Sequence, residues 1–268
     1  MNVAVVLAGG TGTRIGASVP KQFIQVMGKP ILAYTLDNFQ QDPEIDAIEV
    51  VCHRDWVEEV RRIVREYGYD KVRWLTMGGG TFQESTMNGI FHLKGTLAPE
   101  DILVLSFGVS PFCTPDIIND SIRVAKTHGN GISAQEAVLC TCIQDDPYSS
   151  TRSILRETIK GFSNPWSFRY GELVEAYEEG QRRGILKDLE PHTTSLYFAL
   201  GKRIWFSKTN GHNFKVTTPE DLERFEGLLL LRQKRAREAT ETAGIGENGE
   251  NGENGEKEGA NHDQLQGI

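Results

Sequence analysis

Apolar residues in this chain fall into short continuous runs separated by segments of helical spacing. Val3 to Leu7 is uninterrupted hydrocarbon and ends in Ala8-Gly9-Gly10-Thr11-Gly12, the pattern of a strand buried on both faces that runs into a glycine loop. Ile48 to Cys52, Val72 to Met77 and Ile102 to Phe107 read as three further strands. Pro30 to Phe39, Trp56 to Tyr67 and Thr81 to Leu93 lie between them with apolar residues at helical intervals, and Pro115 to Lys126 continues the alternation. Strands alternating with helices at this spacing predict right-handed crossovers and a doubly wound α/β architecture, a Rossmann-like, mostly parallel sheet.

The pattern changes from about Gly131. Short β-like stretches, Ile132 to Ile143 and Ser153 to Ile159, flank the polar turn Gln144 to Ser149 and predict a protruding β-hairpin arm over about 132–160. A helix at Phe168 to Arg182, a strand at Arg203 to Ser207 and a closing helix to about Arg237 complete the body, the last with Thr218 as N-cap and Pro219 at its first position. Residues 1–237 are therefore expected to form one domain. Residues 238–268 include a Gly-Glu-Asn repeat over 246–256 that has no apolar side chain to support a fold, and are expected to be a disordered acidic tail.

Composition narrows the function classes. The formal charge of −8 is concentrated at one end: eight of the 37 acids follow Arg237 against one of the 29 bases, so the body is nearly neutral. A nucleic-acid footprint is not expected on such a surface. No apolar run approaches the roughly 20 residues that cross a bilayer, and Met1 leads directly into strand sequence without a basic leader. A cytoplasmic protein with no membrane attachment is expected. Cys52, Cys113, Cys140 and Cys142 lack metal-ligand spacing and read as reduced thiols.

The candidate chemistry begins at Leu7-Ala8-Gly9-Gly10-Thr11-Gly12-Thr13-Arg14, at the carboxyl end of the first strand, where open α/β sheets present ligands. Glycines there let backbone N–H groups approach phosphate oxygens. The spacing is neither that of a dinucleotide loop nor that of a P-loop. Two cations, Arg14 and Lys21, share the segment, and two fixed positive charges suit attack at an α-phosphorus with departure of pyrophosphate.

With these residues in hand the chain resembles the 2-C-methyl-D-erythritol 4-phosphate and ribitol-5-phosphate cytidylyltransferase family. Three blocks carry the resemblance, in matching order: the glycine loop with Pro20-Lys21-Gln22-Phe23, the segment Gly78 to Gly89, and Asn213 to Leu222. The resemblance implies a nucleotidyltransferase fold that binds CTP with Mg²⁺ and acts on a polyol phosphate. It assigns Leu7 to Thr13 together with Gly79, Gly80, Thr81 and Ser85 to the nucleotide, with Ser85 and backbone groups reading cytosine. It assigns Arg14 and Lys21 to the transition state, and Lys215 and the arm residue Arg156 to the acceptor phosphate. It also implies a homodimer in which the arm embraces a second subunit.

The chain departs from the family mostly on the acceptor side. Ser106-Phe107-Gly108-Val109-Ser110-Pro111-Phe112 stands where the family has His-Asp-Ala/Ser-x-Arg-Pro-Phe, Phe82 replaces a frequent arginine, and Pro191-His192-Thr193 replaces a Thr-Asp-Asp/Glu segment. Ser110, His192 and Thr217 are the expected acceptor contacts, and no protein ligand for a metal is named. Removing an acid and an arginine together strands no buried charge, which points to a retuned acceptor site. The expected reaction is transfer of CMP from CTP to ribitol 5-phosphate or a related alditol phosphate for surface polymers. The alternatives are methylerythritol phosphate as acceptor, a CTP-binding regulator without catalysis and, more remotely, a nicotinamide-dependent reductase.

Overall fold

The structure, a computed structural model, describes residues 1–10 and 19–247, the side chains of 241–247 excepted. In chain order the elements are β1 (Asn2–Ala8), a ribbon of β2 (Gln25–Val26) and β3 (Lys29–Pro30), α1 (Ile31–Gln40), β4 (Ala47–Cys52), α2 (Val57–Glu66), β5 (Val72–Met77), α3 (Phe82–His92), β6 (Ile102–Phe107) and α4 (Pro115–His128). There follow β7 (Asn130–Glu136), β8 (Thr141–Ile143), β9 (Arg152–Ile154), β10 (Lys160–Arg169), α5 (Tyr170–Arg183), α6 (Thr193–Ala199), β11 (Phe206–Ser207) and α7 (Pro219–Glu247). The chain divides after Leu222 into two compact units, and the described part of the second is the continuation of α7.

The first unit is built on a seven-stranded sheet in the order β11-β7-β10-β6-β1-β4-β5. β1 lies parallel between β4 and β6, and the four early apolar runs become these strands and β5. Alternation along β1 explains why its sequence is apolar throughout. Ala4, Val6 and Ala8 enter one core layer with Leu36 of α1, Ile63 of α2 and Ile122 of α4. Val3 and Val5 enter the other with Ile90 of α3, Leu173 of α5 and Leu196 of α6. A strand covered by helices on both faces needs hydrocarbon at every position.

Two expectations change. The arm's second strand was expected at Ser153 to Ile159 and a helix from Phe168; instead β9 is three residues long, β10 occupies Lys160–Arg169, and the helix starts at Tyr170. β10 runs antiparallel between β6 and β7, the one strand in the sheet's interior that breaks its parallel run. Pro165 reads as a strand breaker, but a register shift between Phe162 and Trp166 accommodates it inside the strand. The closing helix also continues past Arg237 to Glu247, through helix formers such as Ala239, Glu241 and Ala243. Lys234 and Glu238 pair across one turn of it at 3.8 Å. The remainder of the expected tail lies outside the described residues.

A buried carboxylic acid sits among the strands that position the site. Glu49, in the middle of β4, is fully buried, with Oε1 2.9 Å from Nδ1 of His92 and accepting a hydrogen bond from the Thr76 hydroxyl. Burial pushes its carboxyl up from 4.5 to about 7, against the opposing pull of Thr76 and His92. The folded state therefore holds this proton more tightly than the unfolded chain does, and stability falls as pH rises from about 4.5 through about 7. Glu49→Gln is expected to flatten that slope and to melt above the parent at pH 8 but not at pH 5, as thermal unfolding at the two pH values will read.

Candidate active site

The carboxyl ends of β1, β5 and β6 open onto a cleft of about 330 Å³. β1 sits where the order of connection reverses, the crevice in which open α/β sheets bind ligands. Leu7 to Gly10 form one part of its wall, Gly79 to Phe82 with Ser85 a second, Phe107 and Val109 a third, and Lys21, Lys215 and Thr217 complete it. Thr11, Gly12, Thr13 and Arg14 lie outside the described residues.

The described start of the glycine loop is shaped by a side chain that the sequence reading passed over. Gln22 is buried, and its Nε2 donates to the carbonyls of Ala8 at 2.7 Å and Gly10 at 3.0 Å. Its neighbour Lys21 extends from the same short 3₁₀ turn and donates from Nζ to the Val216 carbonyl at 3.0 Å. The loop after β1 and the segment carrying Lys215 are thereby tied together across the cleft.

The second wall is a glycine turn folded onto the first turn of α3. Thr81 caps the helix by accepting from the Glu84 N–H at 3.1 Å, while the Glu84 carboxylate accepts from the N–H groups of Gly80 at 2.7 Å and Thr81 at 3.2 Å. Ser85 Oγ accepts from the Gly79 N–H at 3.1 Å and donates to the Thr81 carbonyl at 2.9 Å. The donors of this turn are thus engaged by its own helix. A β-carbon on Gly79 would come within 2.3 Å of Glu84 Cβ, so only glycine fits.

Lys215 lies between this cleft and a neighbouring cavity of about 640 Å³, and both share Phe107 as lining. Its ammonium stands 4.2 Å from the Phe107 ring centre and 5.9 Å from that of Phe82. His192 lines the larger cavity at the start of α6; burial, reinforced by Lys215 and opposed by Glu190, lowers its pKa, so the imidazole is neutral at pH 7. Thr217 lines the nucleotide-sized cleft, its N–H donating to Asp221 at 2.8 Å and its hydroxyl to the Lys215 carbonyl at 3.1 Å.

Two expected residues fall elsewhere. Ser110, expected at the acceptor, is completely buried in the turn after β6 and lines neither cavity. Arg156 sits on the exposed arm just after β9, its guanidinium 3.5 Å from the Val138 carbonyl, and is not brought to either cavity of its own chain. Gln22, Phe107, Trp166 and Asn164 were not foreseen as parts of the site. A buried amide beside a glycine loop and an aromatic residue at a strand end were the available signals.

Among the described residues no carboxylate lines the cleft, and no group of three His, Cys, Asp or Glu could hold a metal. The described residues alone therefore do not form a Mg²⁺ site.

The profile of the family described as IspD, 2-C-methyl-D-erythritol 4-phosphate cytidylyltransferase, matches residues 2–230. The chain belongs to this family. A ribitol-5-phosphate cytidylyltransferase of Lacticaseibacillus paracasei is 32% identical over 229 residues, which cover 85% of this chain and 98% of that protein. A 2-C-methyl-D-erythritol 4-phosphate cytidylyltransferase of Clostridium acetobutylicum is 31% identical, covering 85% and 97%. The crystal structure of 4-diphosphocytidyl-2C-methyl-D-erythritol synthase from Anaerococcus prevotii superposes with a TM-score of 0.71 at 22% identity, over 85% of this chain and 98% of that one, which establishes the shared fold. The protein is accordingly a cytidylyltransferase, a kind of nucleotidyltransferase, with CTP as its nucleotide substrate.

The steric argument at Gly79 yields a direct check. Gly79→Ala is expected to weaken CTP binding at least about tenfold in isothermal titration, because the turn must shift away from Glu84.

Proposed function

We propose that this protein transfers CMP from CTP to the phosphate of a small polyol, with ribitol 5-phosphate or a related alditol phosphate as the acceptor. The observation that carries the reading is Lys215, whose ammonium stands between a nucleotide-sized cleft and a second cavity large enough for an acceptor. The relative named for ribitol 5-phosphate supports this choice of acceptor. Methylerythritol phosphate is the second reading, supported by the similarly close relative named for it.

In this reading an acceptor phosphate oxygen attacks the α-phosphorus, a new phosphoanhydride bond forms, and the bond to pyrophosphate breaks with its electron pair leaving on pyrophosphate. Lys21 and Arg14 stabilise the charge that builds on the phosphoryl oxygens and on the departing group. Lys215 holds the acceptor phosphate, and Thr217 and His192 lie close enough to the two cavities to complete its contacts. The carbonyls of the Gly79–Gly80 turn suit the exocyclic amine of cytosine, since the turn's N–H groups are already engaged. No described side chain of the cleft would hold Mg²⁺, so an ion brought with CTP would supply charge neutralisation beside Lys21 and Lys215.

Arg156 acts on the acceptor of a second subunit, and the protein is a homodimer through its arm, whose exposed Val138, Leu139, Tyr148 and Leu155 supply apolar surface for the contact. Nothing in the composition suits nucleic acid as a partner. No described helix is long and apolar enough to cross a membrane, and the protein works in the cytoplasm, where CTP is made.

Pyrophosphate release from CTP and Mg²⁺ with ribitol 5-phosphate, methylerythritol 4-phosphate and other alditol phosphates tests the reading. Release with an alditol phosphate is expected; CTP binding with silence across the panel would identify a regulator instead. Lys21→Ala should lower kcat by about a hundredfold, as loss of a transition-state donor does, whereas Lys215→Ala should act mainly by raising the KM of the acceptor.

A further inference from the structure

Three successive side chains take three directions from the 3₁₀ turn Lys21–Phe23, in which neighbouring residues stand roughly 120° apart around the axis. Phe23 goes into the core and stacks on Trp56 with ring centres 4.8 Å apart. Gln22 turns to the end of β1, where its Nε2 donates to the carbonyls of Ala8 at 2.7 Å and Gly10 at 3.0 Å. Lys21 reaches across the cleft and donates from Nζ to the Val216 carbonyl at 3.0 Å. The turn is closed by the Phe23 N–H on the Pro20 carbonyl at 2.9 Å.

A side-chain amide has two N–H donors, and Gln22 gives them to two carbonyls of one loop. The residue is only 2% exposed, while Ala8, Gly10 and Lys21 all line the cleft. Its two bonds therefore fix how far the backbone at the end of β1 stands from the backbone that carries the Lys21 cation. The anchoring of the turn by Phe23 and Trp56 does not involve residue 22. A hydrocarbon side chain of the same length can fill the space, but it leaves both carbonyls without this partner and the spacing without its tie.

From this geometry we infer that Gln22 is a positioning residue for the transfer: it holds Lys21 at a set distance from the start of the glycine loop, so that the ammonium meets the charge building at the α-phosphorus. Gln22 acts through Lys21 and touches no reacting atom itself, since its amide hydrogens are spent on Ala8 and Gly10. A displacement of about an ångström is enough to remove much of what a well-placed catalytic group contributes. The inference rests on the role proposed above for Lys21.

A double-mutant cycle in the full-length protein tests it, with Lys21→Ala, Gln22→Met and the two combined, read by kcat and KM for pyrophosphate release with the best acceptor of the panel above. Gln22→Met is expected to lower kcat about tenfold or more while the KM of the acceptor stays within about twofold. In the Lys21→Ala background the same substitution is expected to change kcat by less than about twofold, because the group it positions is gone. A merely structural part lowers turnover by the same factor in both backgrounds, so equal losses overturn the inference, as does an unchanged kcat in Gln22→Met alone. Full turnover in Lys21→Ala overturns the role of Lys21 and the inference with it, and no release by the parent protein with any acceptor overturns the transfer reaction as well. Should Gln22→Met misfold, Gln22→Asn, whose amide is one methylene too short to bridge both carbonyls, goes through the same cycle with the same outcomes.

Discussion

A backbone N–H buried at the end of a strand must find an acceptor, and at β6 it finds one outside the sheet. β10 pairs with β6 only from Trp166 onward, which leaves the last residues of β6 without that neighbour. Asn164 stands in for the missing strand: its Oδ1 accepts from the Phe107 N–H at 3.1 Å and from the Ser106 hydroxyl at 2.8 Å. Its backbone carbonyl accepts in turn from the Asn213 side chain. One buried carboxamide thus fixes the strand end that carries Phe107 and, through Asn213, the segment that carries Lys215. The Val216 N–H adds a bond to the Val109 carbonyl at 2.9 Å, so both sides of the cavity boundary hang on the same few groups.

Around this anchor the site combines two kinds of recognition. The nucleotide side is built from backbone, with Gln22 gathering the carbonyls of Ala8 and Gly10 and α3 folding the second glycine turn onto its own first turn. In its described part these backbone groups are already hydrogen-bonded within the protein. The acceptor side sets aromatic rings beside polar side chains such as Gln135, Asn164 and Thr194, and the Lys215 ammonium stands over the Phe107 ring at 4.2 Å.

The legible part of this fold was the part governed by hydrophobic periodicity. β1, β4 and β6 are buried on both faces and show it as largely apolar runs, the edge strand β5 is only partly covered, and the helices between them follow their spacing closely. β10 escaped because Asn164-Pro165 looks like a break, and only the irregular register lets a proline sit inside a sheet. α6 escaped because Thr193, Thr194 and Ser195 are weak helix formers at its start; burial of Leu196 and Tyr197 holds it in place. In the site, glycines and cations were readable because their chemistry is intrinsic to the residue. The burial of Ser110 was not legible because a polar residue in a turn looks like a surface residue, and Gln22 was passed over because its work depends wholly on where the backbone of Ala8 and Gly10 goes.

The shared boundary between the two cavities has a thermodynamic consequence. Phe107 and Lys215 belong to both, so an occupant on one side changes the surroundings that the other meets. The two ligands are then linked, and linkage is reciprocal: whatever factor the nucleotide applies to the acceptor's affinity, the acceptor applies to the nucleotide's. An anion on one side that draws on the Lys215 charge leaves less of it for the other side, and pyrophosphate leaving the cleft returns it. A single lysine on a ring face makes the occupancy of each chamber a signal to its neighbour.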